Sequence, residues 1–270
     1  MNLIIGLVFG LIIAYVAYKK NALSKSGTIA ATLLGVSLYY FGGLYIFLIM
    51  ISFFVSSTLL TKYKYSKKIN IEKMHEKTGK RDYTQVLANS LPALIYALFY
   101  YYTSMNVFLL GFATTFSATN SDTWASELGV LSKTNPSCIL TGKKVQKGMS
   151  GGITSFGTFA SFLGALFLSF VFMIGYIFKF QNNINIKDLI ILSVLTLIGG
   201  FLGSIIDSIL GASLQGIYKH VETGEITEKR FHQKKENKLI RGFKFINNNA
   251  VNLLSSLLAS LLMMLIYIFI

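Results

Sequence analysis

Leu189-Ile-Ile-Leu-Ser-Val-Leu-Thr-Leu-Ile-Gly-Gly-Phe-Leu-Gly-Ser-Ile-Ile-Asp-Ser-Ile-Leu-Gly-Ala-Ser-Leu214 is apolar almost throughout, with Asp207 as its one charge. A bilayer requires roughly 20 predominantly apolar residues in a helix, so this stretch reads as a membrane span. An acid inside such a span is costly and marks a partner, an ion or a pathway. Gly200, Gly203, Asp207, Gly211 and Gln215 fall on one side of a helix. Packing of a small-residue seam accounts for the glycines but not for the acid.

Similar apolar stretches recur along the chain, at 2–18, 26–41, 44–60, 86–102, from 106 into an acidic stretch, 152–178 and 251–270. Gly42-Gly43 reads as a tight turn between the second and third. The 270 residues are 53% hydrophobic and only 13% charged, against about a quarter charged in soluble domains; mean hydropathy is +0.57. The expected fold is an all-α polytopic membrane protein, about eight transmembrane helices in one bundle and a single domain over 1–270. Residues 62–85, 120–150 and 217–249 form its larger polar loops.

Charge placement orients this bundle. With eight spans, loops 19–25, 62–85, 120–150 and 217–249 fall on one side and hold 23 of the 25 lysines and arginines, leaving Lys179 and Lys187 opposite. The positive-inside rule makes that side cytoplasmic and puts both termini on the non-cytoplasmic side. The net charge of +14 is then accounted for by basic loops against anionic lipid; no basic-aromatic module for nucleic acid is present. Cys138 stands alone, without an intrachain disulfide or a neighbouring histidine. His75, His220 and His232 lack metal-ligand spacing.

The polar islands all lie at the cytoplasmic ends of their spans, which points to a single site. Thr119-Asn-Ser-Asp-Thr-Trp-Ala-Ser-Glu-Leu-Gly129 carries Asp122 and Glu127. Five residues apart on a regular helix, they diverge by about 140°, so they meet on one ion only if the helix begins or breaks between them. Lys143, Lys144 and Lys147 precede Gly148, Gly151 and Gly152, with Ser150, Thr154 and Ser155 following. Exposed N–H groups at a helix mouth suit phosphate, although a basic loop entering a glycine-packed helix has the same pattern. The segment is not a Walker A loop. Gln85 and Asn89 share one face, as do Asn248, Asn249 and Asn252, fit either for capping or for a ligand. Asp122 and Asp207 together could hold Mg²⁺ with triphosphate oxygens.

Several blocks resemble the phytyl-phosphate kinase family of integral membrane proteins. They are Gln85-Val-Leu-Ala-Asn89, Ala118-Thr-Asn-Ser-Asp-Thr-Trp-Ala-Ser-Glu-Leu-Gly129, Pro136, Thr141-Gly-Lys-Lys-Val145, Gly148-Met-Ser-Gly-Gly152, Gly203-Ser-Ile-Ile-Asp-Ser-Ile-Leu-Gly-Ala212 with Gln215, and Asn248-Asn-Ala-Val-Asn252. The resemblance implies a lipid kinase converting an isoprenoid (prenyl or phytyl) monophosphate to its diphosphate. The acidic block also looks like that of CTP-using lipid kinases, which implies CTP as the nucleoside triphosphate co-substrate, with Mg²⁺. Carried over position by position, it marks Asn89, Asp122, Thr123, Glu127, Lys143, Lys147, Gly148, Gly151, Gly152, Asp207, Ser208, Gln215 and Asn252. Met149 and Asn249 depart from the family pattern, where a threonine and an aspartate are expected. In the implied site Asp122 and Asp207 hold the metal, Lys143 and Lys147 neutralise phosphates, Gly148–Gly152 cradles them, and Glu127 orients or ligates. A CTP-dependent lipid cytidylyltransferase would use the same groups. A transporter or flippase of anionic lipid would instead need polar groups near the midplane.

Overall fold

The computed structural model describes residues 2–72, 79–233 and 235–270; His75 and its neighbours in the 62–85 loop lie outside the described residues. The chain is mostly helical: α1 (Asn2–Lys19), α2 (Lys25–Lys62), α3 (Tyr65–Glu72), α4 (Tyr83–Thr103), α5 (Asn106–Gly129), α6 (Ser155–Lys179), α7 (Ile186–Ser213) and α8 (Asn248–Ile268). By length and composition, α2, α6, α7 and α8 can each cross a membrane. A straight α2 of 38 residues would run about 57 Å, nearly twice the hydrocarbon core. It breaks instead at Gly43, whose φ of 68° and ψ of −160° are tolerated because glycine has no Cβ. The second half folds back along the first: the Tyr39 and Phe47 rings lie 5.6 Å apart, and a Cβ at Gly35 would sit 3.3 Å from Phe47. The Gly42-Gly43 turn expected from the sequence is therefore present.

The exterior is apolar, and the interior mixes a hydrophobic core with small polar side chains. Leu33, Leu59, Phe170, Ile190 and Leu265 are more than half exposed, while Thr114, Thr115, Ser117, Asn120 and Ser121 are buried. Outside the bundle the solvent is lipid, so polar side chains must find partners within it. Asn120 spans three helices: its amide nitrogen donates to the Gly164 carbonyl at 2.8 Å and its oxygen accepts from Ser56 at 2.8 Å. Ser121 pairs with Ser161 at 2.8 Å. These bonds bind α5 to α2 and α6.

Close approach between helices is set by glycine. On α7 a Cβ at Gly200 would lie 2.0 Å from Ser117 Oγ, and one at Gly203 would lie 2.3 Å from Ala118 Cβ. On α6 a Cβ at Gly164 would lie 3.0 Å from the Trp124 ring. Helices α6 and α7 thus seat on α5 at near-backbone distance. At one end of the bundle the links are short, and Asp188 accepts from Asn106 at 3.0 Å and Tyr267 at 3.3 Å. At the other end the polar loops converge.

Two expectations need correction. The acidic stretch is not a loop: α5 runs unbroken through Gly129, because its polar residues are satisfied by α2 and α6, and the loop begins at Val130. The chain is also not entirely α-helical. Residues 130–154 fold back through β1 (Ser137–Cys138) and β2 (Gly152–Ile153), and the chain between α7 and α8 forms β3 (Ile217–Lys219), β4 (Ile226–Thr227), β5 (Phe231–His232), β6 (Lys235–Glu236) and β7 (Lys238–Arg241). β3 is central in a three-stranded antiparallel sheet, and β5 pairs with β6.

Candidate functional site

Where the polar loops converge, α2 to α8 and the 130–154 loop line a cavity open on one side, about 2020 Å³ with the open space included. Asn89, Asp122, Thr123, Glu127, Lys147, Gly148, Ser150, Gly151, Gly152, Asp207, Ser208, Gln215 and Asn252 all line it. Lys143 does not. It lies on an exposed turn where its carbonyl accepts from the Cys138 N–H at 2.8 Å, outside the cavity wall.

Asp122 and Asp207 reach the cavity from α5 and α7, which the glycine seam holds together. Asp207 Oδ2 accepts from Ser255 at 3.0 Å. With its nitrogen turned toward acceptors, the Asn252 amide donates to Asp207 Oδ2 and the Asn248 carbonyl, both at 3.1 Å, and its oxygen sits 3.2 Å from the Asn89 amide. Ser255 and Asn252 of α8 therefore orient the α7 carboxylate, with Asn89 of α4 next in the chain of contacts. Asn249 lies off this chain and donates to Thr84 Oγ1 at 2.9 Å, tying α8 to α4.

Glu127 has a different environment. As the unbroken helix dictates, it diverges from Asp122, and it meets Lys68 of α3 at 2.6 Å and the Thr61 hydroxyl at 2.6 Å. Lys68 is buried and also donates to the Leu60 carbonyl at 2.7 Å. An ion pair with both charges so covered is expensive to break from one side.

The glycine-rich loop is held by packing as well as by its own turns. Gly148 and Gly151 have φ of 84° and 81°, the left-handed region that favours glycine. A Cβ at Gly151 would also lie 2.4 Å from Ala212 Cβ, so packing on α7 accounts for this glycine. Lys147 donates to the Ser132 carbonyl and Ser150 to Glu228. Arg241 of β7 donates to the Ser150 carbonyl at 3.1 Å and the Gly211 carbonyl at 3.0 Å, clamping loop and helix together. Burial draws the Arg241 pKa below its ordinary value, while Cys138 and Glu228 oppose that shift. Gln215, 1% exposed, presents a cavity-lining amide whose Nε2 has no hydrogen-bond partner among the described residues.

Sequence reasoning missed Arg81, Lys68 and Thr61, all on the cavity wall. Arg81 precedes α4, with its guanidinium 5.8 Å and 5.7 Å from the Phe53 and Phe54 ring centroids. Burial lowers its pKa, and the charge of Glu127 counteracts this. The basic 62–85 run hid both cations among solvated neighbours. Gln85, which the sequence left between two roles, completes a capping box with Asp82 through bonds of 3.0 and 3.2 Å and also lines the cavity. His220 and His232, distant in sequence, have ring centroids 4.3 Å apart.

Fold and cavity together define a polytopic helical membrane protein with a chamber lined by three acids at one end of its bundle. Residues 8–260 match the family described as Integral membrane protein DUF92, and the chain belongs to that family. Protein PGR of Arabidopsis thaliana is 30% identical over 277 residues, covering 97% of this chain and 94% of the relative. Uncharacterized membrane protein MJ0933 of Methanocaldococcus jannaschii is 32% identical over 212 residues, covering 78% and 83%. Protein VTE6, chloroplastic, also of Arabidopsis thaliana, is 28% identical over 255 residues, covering 93% of this chain and 67% of the relative. No solved structure matches. These relationships bear out the family resemblance carried by the Asp-Thr-Trp-Ala-Ser-Glu block.

Proposed function

We propose that this protein is a membrane-embedded kinase that transfers the terminal phosphoryl group of a nucleoside triphosphate, CTP by resemblance, to an isoprenoid monophosphate. One observation carries the reading: two carboxylates from different helices, a lysine and a glycine-rich loop line a single cavity at one end of an apolar bundle. In this reading all eight long segments cross the bilayer, with both termini on the non-cytoplasmic side and the cavity facing the cytoplasm. The clustering at one end speaks against a transporter, which needs its site near the midplane.

The donor set suits Mg²⁺. Asp122, Asp207, Ser208 and Asn89 offer hard oxygens. Among the described residues no group of three or more His, Cys, Asp or Glu side chains is placed to hold a metal. An ion held by two carboxylates takes its other ligands from water and phosphate, which is the usual magnesium arrangement. When bound, Mg²⁺ supplies charge neutralisation at the phosphates. The protein's part is positioning. Ser255 and Asn252 fix the Asp207 carboxylate, Lys147 offers an ammonium, and the Gly148–Gly152 backbone can approach an anion closely. An oxygen of the acceptor phosphate forms a bond to the γ-phosphorus as the β–γ bridge breaks, releasing nucleoside diphosphate. The acceptor is already ionised, so no general base is required.

The test follows the label. Protein in lipid nanodiscs is given prenyl monophosphates and CTP labelled either on the γ-phosphate or on the base. The expected products are γ-labelled prenyl diphosphate and CDP. Base label on the lipid, with pyrophosphate released, would make the protein a cytidylyltransferase acting through the same cavity. Lys147→Ala should slow transfer roughly ten- to a hundredfold, since a charge-assisted hydrogen bond contributes about 1.5–3 kcal/mol.

A further inference from the structure

A second cavity adjoins the polar one and shares part of its wall. It is a narrow slot between α1, α2 and α4, about 630 Å³ only when the space open to its surroundings is included, and Ala14, Ala17, Leu34, Phe47 and Met50 give it an apolar lining. Arg81, Gln85 and Asn89 line both spaces, so these three polar side chains stand between the slot and the chamber. Of these three, Gln85 is engaged in its capping box and the Asn89 amide abuts that of Asn252 at 3.2 Å.

Arg81 is positioned by its backbone. Its N–H donates to the Ala22 carbonyl and its carbonyl accepts from the Ser24 N–H, each at 3.0 Å. Gly27 permits this approach, since a Cβ there would lie 2.1 Å from the Arg81 oxygen. The guanidinium rests on the Phe53 and Phe54 faces, an attraction that holds a cation without neutralising it. No carboxylate or carbonyl among the described residues is hydrogen-bonded to it. Its donors form a planar fork that matches phosphate geometry.

An amphiphile with an anionic head and one unbranching route for its tail fits this junction. Resting on the kinase reading above, we infer that the slot takes the isoprenoid tail of the acceptor and that Arg81 binds its phosphate, presenting it to the nucleotide chamber. The acceptor is thereby bound across both cavities, with head and tail recognised by different walls.

The inference is tested without nucleotide. Radiolabelled geranylgeranyl monophosphate is bound to the full-length protein in nanodiscs and competed with geranylgeraniol, dimethylallyl monophosphate, inorganic phosphate and phosphatidic acid. Unlabelled geranylgeranyl monophosphate should compete best. Arg81→Gln should weaken its binding about ten- to a hundredfold, and Arg81→Lys, which keeps the charge and loses the fork, should weaken it less. Ala31→Phe, or Ala17→Leu as a milder filling of the slot, should weaken geranylgeranyl monophosphate while leaving dimethylallyl monophosphate at its wild-type affinity, which no misfolded protein would do. Wild-type binding by Arg81→Gln overturns the inference. So does phosphatidic acid competing as well as the prenyl phosphate, or equal loss of both chain lengths in slot-filling variants that elute as wild type. Binding in this pattern by a protein that transfers no phosphoryl group would end the kinase reading alone; transfer without the pattern would end this one alone.

Discussion

Lys68→Met strands the carboxylate of Glu127. In the native protein the Lys68 side chain is 3% exposed and that of Glu127 19%, with 2.6 Å between the charged atoms. Removing one member of a buried pair costs about 3–5 kcal/mol, because the other charge stays buried without compensation. The Thr61 hydroxyl, 2.6 Å from Glu127 Oε1, remains as a donor, and the Arg81 charge still acts on Glu127 across the partly open cavity, which places the loss at or below the lower end. About 3 kcal/mol corresponds to roughly a 140-fold shift in equilibrium. Glu127→Leu should cost a similar amount, since Lys68 keeps only the Leu60 carbonyl. The double variant Lys68→Met/Glu127→Leu should recover most of the loss, as apolar replacement of a buried pair is often neutral. Unfolding in mixed micelles, followed by helical circular dichroism as SDS is titrated, gives the four midpoints of the cycle. Additive single losses would refute the reasoning, because they would mean the two charges do not sense each other. Turnover of the stable double variant then separates two roles: activity retained makes Glu127 a packing group, and activity lost assigns it chemistry in the cavity.

Asp122→Asn and Asp207→Asn should each abolish phosphoryl transfer while the protein inserts and purifies normally; full turnover in either variant removes that carboxylate from the metal site. Gly142→Ala and Gly151→Ala should differ although both glycines have positive φ, at 67° and 81°. Nothing lies within 4 Å of a Cβ at Gly142, whereas one at Gly151 meets Ala212, so the first should cost about 1–2 kcal/mol and the second an additional 1–3 kcal/mol or so for overpacking, read from thermal stability in detergent. In a Cys138→Ser background, single cysteines at Tyr63 and Glu222 should be labelled from the cytoplasmic side and one at Asn183 from the other; opposite faces for Tyr63 and Glu222 would break the eight-span topology.

The residues that announced themselves in the sequence did so through local pattern. Asp207 stands out because its neighbours are apolar, and the glycines around it keep helical spacing, so their shared face was readable before any contact was known. Gly42-Gly43 was readable because it interrupts a run otherwise too long for one span. Arg81 offers no such contrast. It stands beside Lys80 in a basic loop, and only the fold sets it on two phenyl faces between two cavities. Lys143 and Lys147 are equivalent by composition, and the β1–β2 turn alone puts one outside and one on the wall. The continuity of α5 was hidden for a related reason: hydroxyl and amide side chains lower its hydropathy, while the partners that satisfy them, Ser56, Ser161 and the Gly164 carbonyl, lie far away in sequence. Strands of two to four residues are too short to carry a period-2 signal.

The seam on α7 also fixes what lengths the chain can take. Gly200 and Gly203 key the helix against Ser117 and Ala118, and Asp207 follows on the same rigid rod, so anchor and carboxylate are indexed by residue count alone. One residue inserted between Gly203 and Asp207 would swing the acid by about 100° and advance it about 1.5 Å, away from Ser255 and Asn252, while the anchor stayed in place. A second insertion would not restore it; a full turn would, but one storey further along the bundle. Insertions of any length at Gly142 or Gly224, where the backbone turns through the left-handed region at exposed sites, leave that index untouched. Length variation in chains built on this plan is therefore expected in the loops and the β unit, and forbidden along the few residues of α7 that join its anchor to its acid.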